Sequence, residues 1–294
     1  MFLLTFMIVD GKEIAREIRE ELKVKFAKLG KPVTLGFVRS GNDLLAKKFV
    51  DLKAKTAREL GVHVVEFALP ADATTEDALV AVREIAETSD AMLVQMPLSK
   101  TIDAERVLAA VPLEKDVDAM GDRSGKVVLT PVVGALKEIL SRNSVESRGK
   151  KVTVVGAGKL VGGPAETWFT REGADVVVVT STSGDLSSSV ADADIVVLGA
   201  GQEGILKKEM LKKAKTDGVG SPDGSQNEPF RGVAVLDAGT SESGGTIKGD
   251  ADPACADVAS LFTPVPGGIG PIAIAMIFKN LLTLAKKIPL RSEV

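Results

Sequence analysis

The hydrophobic positions of this chain change period at short intervals, and the changes mark out its elements. Ile14, Ile18, Leu22 and Phe26 recur at near-helical spacing. They follow Asp10-Gly-Lys-Glu13, which has the spacing of an N-cap with an acid at N3, and Gly30 stops the run. Residues 33–38, mostly apolar, read as a buried strand. The alternation repeats with a helix over 45–60 ended by Gly61, a strand over 62–69 ended by Pro70, and a helix over 74–87. A strand over 91–96 closes at Pro97, a short helix covers 103–111, and a longer one runs from Pro131 to about Arg142. Strand and helix in turn predict an α/β domain with a mostly parallel sheet.

A second unit opens at Gly149-Lys-Lys151. A strand over 152–155 leads into a glycine-rich turn over 156–163 and a helix over 164–171, with further strands at 176–179, 195–198 and 233–237. This is the rhythm of a Rossmann-type half. Residues 216–231, rich in Gly, Ser, Pro and Asp, read as a long surface loop. Thr246-Ile-Lys-Gly249 behind Gly244-Gly245 suggests a hairpin, and a helix over 271–287 closes the chain. At the other end, residues 1–9 are too short for a membrane span. They carry neither a basic segment nor a cleavage site, and read as a first strand, with Met7 a candidate natural start.

Composition narrows the chemistry. Of 294 residues, 45% are hydrophobic, and 37 Lys and Arg against 40 Asp and Glu leave a net charge of -3. That balance gives no footprint for nucleic acid or an anionic membrane, and neither partner is expected. The single Cys255 excludes an internal disulfide and a cysteine-based metal site, and fits a reducing, cytoplasmic location. One histidine, His63, excludes a multi-histidine metal cluster, and no metal is expected. Tyrosine is absent, so no tyrosine serves as an acid.

Several residues are candidates by position. Gly156-Ala157-Gly158-Lys159-Leu-Val161-Gly162-Gly163-Pro164 follows an apolar strand and precedes a helix. Glycines there let the backbone approach a pyrophosphate, and the helix N-terminus offers N–H groups and a positive dipole. The spacing is G-x-G-x-x-x-G, and the same residues would also make a tight turn with no ligand. The next strand ends at Thr180-Ser181-Thr182, where an acid would ordinarily grip a ribose diol; hydroxyls suit a ribose or a phosphate, so NAD and NADP both stay open. Lys159 can approach a 2′-phosphate or simply be solvated. Phe49 and Lys53 stand at i and i+4 on one helix face, where a core residue and a surface lysine are the commoner occupants. Gln95 and Pro97 end a strand at its carboxyl edge, where α/β folds place ligand groups. Asp118 either caps a turn or accepts two hydrogen bonds from a planar N–H/NH₂ edge.

Taken in order, these segments resemble the bifunctional methylenetetrahydrofolate dehydrogenase/cyclohydrolase family. The resemblance runs along nearly the whole chain through Val9-Asp-Gly-Lys12, Phe49-Val-x-x-Lys53-x-Lys55, Leu93-Val-Gln95-Met-Pro97-Leu98 with Glu114-Lys-Asp-Val-Asp118, and the glycine turn. Thr263-Pro-Val-Pro266-Gly267-Gly268-Ile-Gly-Pro271 is its most specific block. The resemblance implies two α/β domains with a folate cleft between them. A catalytic, folate-binding domain would cover 1–142 plus 271–294, and a Rossmann-type NAD(P) domain would cover 143–270. The C-terminal helix would return to the first. It implies Lys53 as catalytic lysine, Gln95 as its hydrogen-bonding partner, Asp118 as pterin anchor and Phe49 as stacking face. Pro97 would join the substrate site. Pro266, Gly267, Gly268 and Pro271 would line the cleft beside the nicotinamide, and the glycine turn with Thr180–Thr182 would hold the cofactor. A homodimer and tetrahydrofolate substrates follow from the same resemblance, as does a place in purine biosynthesis.

Four departures stand out. Phe49 replaces the family's tyrosine. Val128-Leu-Thr-Pro131 stands for Pro-Cys-Thr-Pro, and 119–127 is shorter than usual. Ala157 and Gly158 stand where many NADP-using relatives carry Arg-Ser. Two other readings compete: another two-domain NAD(P) dehydrogenase of shikimate or amino-acid type, and a folate-binding relative with impaired turnover.

Overall fold

The computed structural model describes residues 7–40, 44–121, 127–211, 232–243 and 246–286. Residues 1–6, the expected 216–231 loop and the Gly244-Gly245 turn lie outside the described residues. The chain divides into two compact units, one of residues 14–131 and 274–294 and one of residues 1–13 and 132–273. The helices that connect their parts are α1 (Gly11–Ala27), α5 (Pro131–Arg142) and α8 (Ile269–Ala285).

The first unit is built on a parallel three-stranded sheet. Its strands are β2 (Thr34–Ser40), β3 (His63–Leu69) and β4 (Ala91–Val94), with β2 in the middle. Two helices follow the strands, α2 (Leu44–Glu59) and α3 (Thr75–Thr88), with α4 (Ala104–Ala109) after β4. The start of α3 is fixed by a capping box. Asp77 N–H donates to Thr74 Oγ1, and Thr74 N–H donates back to Asp77 Oδ2 at 2.8 Å. Gly36 lets α3 lie directly on β2, since a Cβ there would sit 2.3 Å from Ile85 Cγ2. Val38, Val82, Ile85, Met92 and Val107 belong to the core of this unit. Beyond β4 the segment 115–117 extends the sheet, with Met92 N–H on Lys115 O at 2.7 Å and Val117 N–H on Met92 O at 3.1 Å.

The second unit holds a parallel six-stranded sheet in the order β6-β5-β7-β8-β11-β1. The strands are β1 (Met7–Ile8), β5 (Lys151–Val155), β6 (Asp175–Val179), β7 (Ile195–Leu198), β8 (Ala234–Asp237) and β11 (Leu261–Phe262). Strand β1, within the expected first strand, is an edge strand of this sheet. Met7 N–H bonds Ser260 O and Val9 N–H bonds Phe262 O, so its partner comes from the far end of the sequence. Helix α6 (Gly162–Arg171) follows β5, beginning two residues before the expected start. Helix α7 (Leu186–Ala191) was not expected. Its Leu-Ser-Ser-Ser-Val-Ala sequence has loop composition, and Asp185 caps it by accepting from Ser187 and Ser188 N–H. Strands β9 (Ser241–Ser243) and β10 (Thr246–Lys248) form the expected antiparallel hairpin. Val155, Val196, Leu198, Val235, Cys255 and Phe262 belong to the core of this unit. Among the described residues, no helix is long and apolar enough to cross a membrane.

Candidate functional site

In the three-stranded unit, Lys53 is carried by the buried side of α2 and is only 8% exposed, as is Gln95 just past the end of β4. Lys53 Nζ donates to Gln95 Oε1 at 2.9 Å, and Gln95 Nε2 donates to Met96 O at 2.7 Å. The second bond fixes the amide so that its oxygen faces the lysine. Gln95 N–H continues the ladder onto Val38 O, which ties the amide to the sheet. Of the surrounding lysines, Lys47 and Lys55 are exposed, so burial separates Lys53 from them. Phe49, one turn earlier, is 39% exposed and so is not a buried core residue. Met96–Pro97 is a cis peptide and Pro97 is exposed.

Asp118 follows the added segment 115–117. Burial raises its carboxyl above the ordinary carboxylate range, opposed by the nearby charge of Lys53. Sequence reasoning missed the residues that hold it. Asp116 is buried, and its two oxygens accept from Asp118 N–H at 3.0 Å and Gly121 N–H at 2.9 Å. Burial raises Asp116 to about 6, and the Asp118 charge adds to the shift. Leu113, Asp116, Ala119, Val127 and Val128 line a small cavity of about 10 Å³. On α8, Asn280 Nδ2 donates to Val117 O and to Leu129 O, both at 2.8 Å, so this helix clasps the Asp118 segment. The Asp-x-Asp spacing was a signal for Asp116. Nothing in the sequence marked Asn280, whose partners lie 163 and 151 residues away.

In the six-stranded unit the glycines of the turn do different work. Gly156 has φ of +92°, and a Cβ there would lie 2.7 Å from Gly199 O. A Cβ on Gly162 would lie 1.8 Å from Gly156 O, so the first residue of α6 rests on the turn backbone. A Cβ on Gly158 would make only an ordinary contact, with Gly199 O at 3.9 Å. Ala157, Gly158 and Lys159 are exposed, while Val161 is buried against Gly199. The result is a close-packed backbone turn below a helix start, where N–H groups and the helix dipole favour an anion. At the end of β6, Thr180 Oγ1 lies 3.0 Å from Thr182 Oγ1 and 2.8 Å from Ser183 Oγ, beside exposed Ser181. The next acid, Asp185, is committed to capping α7.

The 263–271 block lies in the same unit. Val265–Pro266 is a cis peptide, Gly267 has φ of +110°, and Gly268 N–H bonds Pro264 O at 2.8 Å. A Cβ on Gly268 would lie 2.6 Å from Pro264 O, and one on Gly11 only 1.7 Å from Gly268 O. Pro271 stands in the first turn of α8. Among the described residues, no group of three or more His, Cys, Asp or Glu could hold a metal ion.

Two family models match the chain. The tetrahydrofolate dehydrogenase/cyclohydrolase catalytic domain matches residues 9–118, and the NAD(P)-binding domain of the same family matches residues 129–288. The bifunctional protein FolD of Halothermothrix orenii is 35% identical, over 95% of this chain and 98% of that protein. That of Geotalea uraniireducens is 34% identical, over 95% and 99%. Among solved structures, the Trypanosoma brucei N5,N10-methylenetetrahydrofolate dehydrogenase-cyclohydrolase, complexed with NADP cofactor and inhibitor, has a TM-score of 0.84. It is 30% identical, over 95% of this chain and 97% of that one. The Campylobacter jejuni bifunctional FolD enzyme also has a TM-score of 0.84, at 27% identity over 95% and 98%. Dehydrogenases of shikimate or amino-acid type are not favoured as the kin of this chain. With an α/β catalytic domain and an NAD(P)-binding domain, the chain belongs to the tetrahydrofolate dehydrogenase/cyclohydrolase family.

Proposed function

We propose that this protein oxidises 5,10-methylenetetrahydrofolate to 5,10-methenyltetrahydrofolate with NAD(P) and hydrolyses the product to 10-formyltetrahydrofolate. The observation that carries the reading is the buried Lys53–Gln95 hydrogen bond beside Asp118. Loss of hydride from the methylene carbon leaves a cation that the two flanking nitrogens delocalise, so the oxidation asks the protein chiefly for positioning. A bound nicotinamide supplies the hydride acceptor. Asp118 anchors the pterin through its N–H/NH₂ edge, Phe49 offers a ring face for stacking, and Pro97 joins the substrate site. In the hydrolysis, water adds to the methenyl carbon and the ring opens. Lys53 moves the proton, with Gln95 holding its Nζ in place.

The glycine turn fits a dinucleotide. Gly156, Ala157, Gly158, Lys159, Val161 and Gly162 would hold the pyrophosphate, and Thr180, Ser181 and Thr182 the adenosine ribose or its phosphate. Pro266, Gly267, Gly268 and Pro271 would join the substrate site, lining the folate cleft beside the nicotinamide. The hydroxyl cluster suits NADP or NAD. We assign the chain to the cytoplasm as a homodimer without nucleic-acid or membrane partners. Its 10-formyl product would serve purine biosynthesis.

The test is direct. Purified protein is mixed with methylenetetrahydrofolate and either NAD or NADP, and the absorbances of reduced nicotinamide and methenyltetrahydrofolate are followed together. Reduced nicotinamide without lasting methenyl signal is expected, and the faster nucleotide names the cofactor. Accumulating methenyltetrahydrofolate would remove the hydrolytic half. No signal with either nucleotide would overturn the proposal, and folate calorimetry would then tell a wrong substrate from an impaired site. Light scattering tests the dimer.

A further inference from the structure

Asp250 is fully buried, yet no role in substrate or cofactor contact falls to it. Its two oxygens accept three consecutive backbone N–H groups of the segment that follows β7. Oδ2 takes Ala200 at 2.7 Å and Gly201 at 3.0 Å, and Oδ1 takes Gln202 at 2.7 Å. That segment is a wall of the glycine turn. A Cβ on Gly156 would touch both Gly199 O and Ala200 N, and a Cβ on Gly199 would lie 2.5 Å from Val161 Cγ1. The same carboxyl is wedged from behind, because a Cβ on Gly239 would lie 2.0 Å from Asp250 Cγ.

A second carboxyl continues the brace. Ala251 N–H, next to Asp250, donates to Asp237 Oδ2 at 2.8 Å, and Gly239 N–H donates to Asp237 Oδ1 at 3.0 Å. Asp237 N–H donates to Oγ1 of fully buried Thr263, the first residue of the 263–271 block, at 2.6 Å. Gly249 is held between Asp237 Oδ2 and Val265, where a Cβ would meet them at 2.3 and 2.9 Å. The loops after β7, β8 and β11 are therefore tied at the carboxyl ends of their strands, the edge at which open α/β sheets bind ligands.

We propose that Asp250 is a positioning residue for the dinucleotide. By gripping Ala200, Gly201 and Gln202 it sets the wall against which the glycine turn closes, and through Asp237 and Thr263 it holds the Pro266–Gly268 turn in register with that wall. The inference rests on the glycine turn being the nucleotide site. It goes beyond that reading in naming the buried side chain that shapes the site from behind without touching the ligand. A carboxylate is suited to this task because it is acceptor-only, and three converging donors need three acceptor lone pairs.

Asp250→Asn keeps the shape but sets an NH₂ against at least one of the three N–H donors. The KM and Kd for the nucleotide are expected to rise about tenfold or more, with the KM for the folate not following. An unchanged nucleotide KM in the folded variant would overturn the proposal. So would a loss in which both KM values rise together as the melting temperature falls. Amide exchange on the wild-type protein keeps the test open if the variant fails to fold. Peptides covering 199–202 are expected to gain protection when nucleotide is added, and protection confined to 156–163 would overturn the inference. Wild-type protein that binds neither NAD nor NADP by calorimetry would instead sink the cofactor reading beneath it.

Discussion

Two adjacent glycines at the start of α6 predict different outcomes for the same substitution. In Gly162→Ala the new Cβ would lie 1.8 Å from Gly156 O, 2.7 Å from Gly156 C and 3.0 Å from Ala157 Cα. All three are backbone atoms, so no side chain can rotate away. To reach an ordinary contact of about 3.4 Å, the helix start and the turn must part by about 1.6 Å. Overpacking of this kind costs roughly 1–3 kcal/mol, or about 2–12 °C in melting temperature for a unit of this size. In Gly163→Ala the nearest atom is Gly158 O at 3.8 Å, an ordinary contact. The helix gains about 0.5–1 kcal/mol from the lost glycine, offset by the strain of a non-glycine residue in helical conformation before Pro164, so stability should stay within about 1 kcal/mol of wild type. Thermal melts by circular dichroism and nucleotide titration by calorimetry read both effects. Gly162→Ala should melt lower and bind nucleotide about tenfold or more weakly, since a shift of about 1 Å suffices to spoil hydrogen-bond geometry. If Gly162→Ala melts with wild type, or Gly163→Ala falls as far, then α6 does not rest on the turn as described.

Three further outcomes are expected. Lys53→Met removes the proton carrier and leaves Gln95 Oε1 without its donor, so methenyltetrahydrofolate hydrolysis should fall about 10²–10⁴-fold while nucleotide still binds; wild-type hydrolysis in the variant would remove Lys53 from the mechanism. Asn280→Leu strips donors from Val117 O and Leu129 O, and should cost about 1–3 kcal/mol in urea denaturation and raise the folate KM, since Asp118 adjoins one freed carbonyl. Burial, partly offset by the N–H of Ala251, raises Asp237 from 3.8 to about 7, with the Asp250 charge adding to the rise. The folded state therefore binds this proton more tightly than the unfolded chain, and the resulting stability is full below 3.8 and lost as pH rises through about 7. Asp237→Asn should flatten that decline in melts taken between those values. An identical pH profile in the two proteins would refute the assignment.

The sequence by itself determined most of the local structure. Apolar period and caps located α1, α3, α5 and every strand of the Rossmann-type half from β5 to β8, because these signals act between residues a few positions apart. Its motifs also named Lys53, Gln95 and Asp118. What it left open was whether Lys53 was one more solvated lysine among four. Only tertiary structure decided that, by burying this one lysine and aiming it at an amide 42 residues away. The pairing of β1 with β11, the Asn280 clasp and the Asp250 brace were illegible for the same reason. Each depends on partners about 50 to 250 residues distant, and a hydrogen bond across such a separation leaves no periodic trace in the chain. Helix α7 was illegible for the opposite reason, since six residues rich in serine carry too little local preference to announce a helix until Asp185 caps it and Val190 is buried in the core.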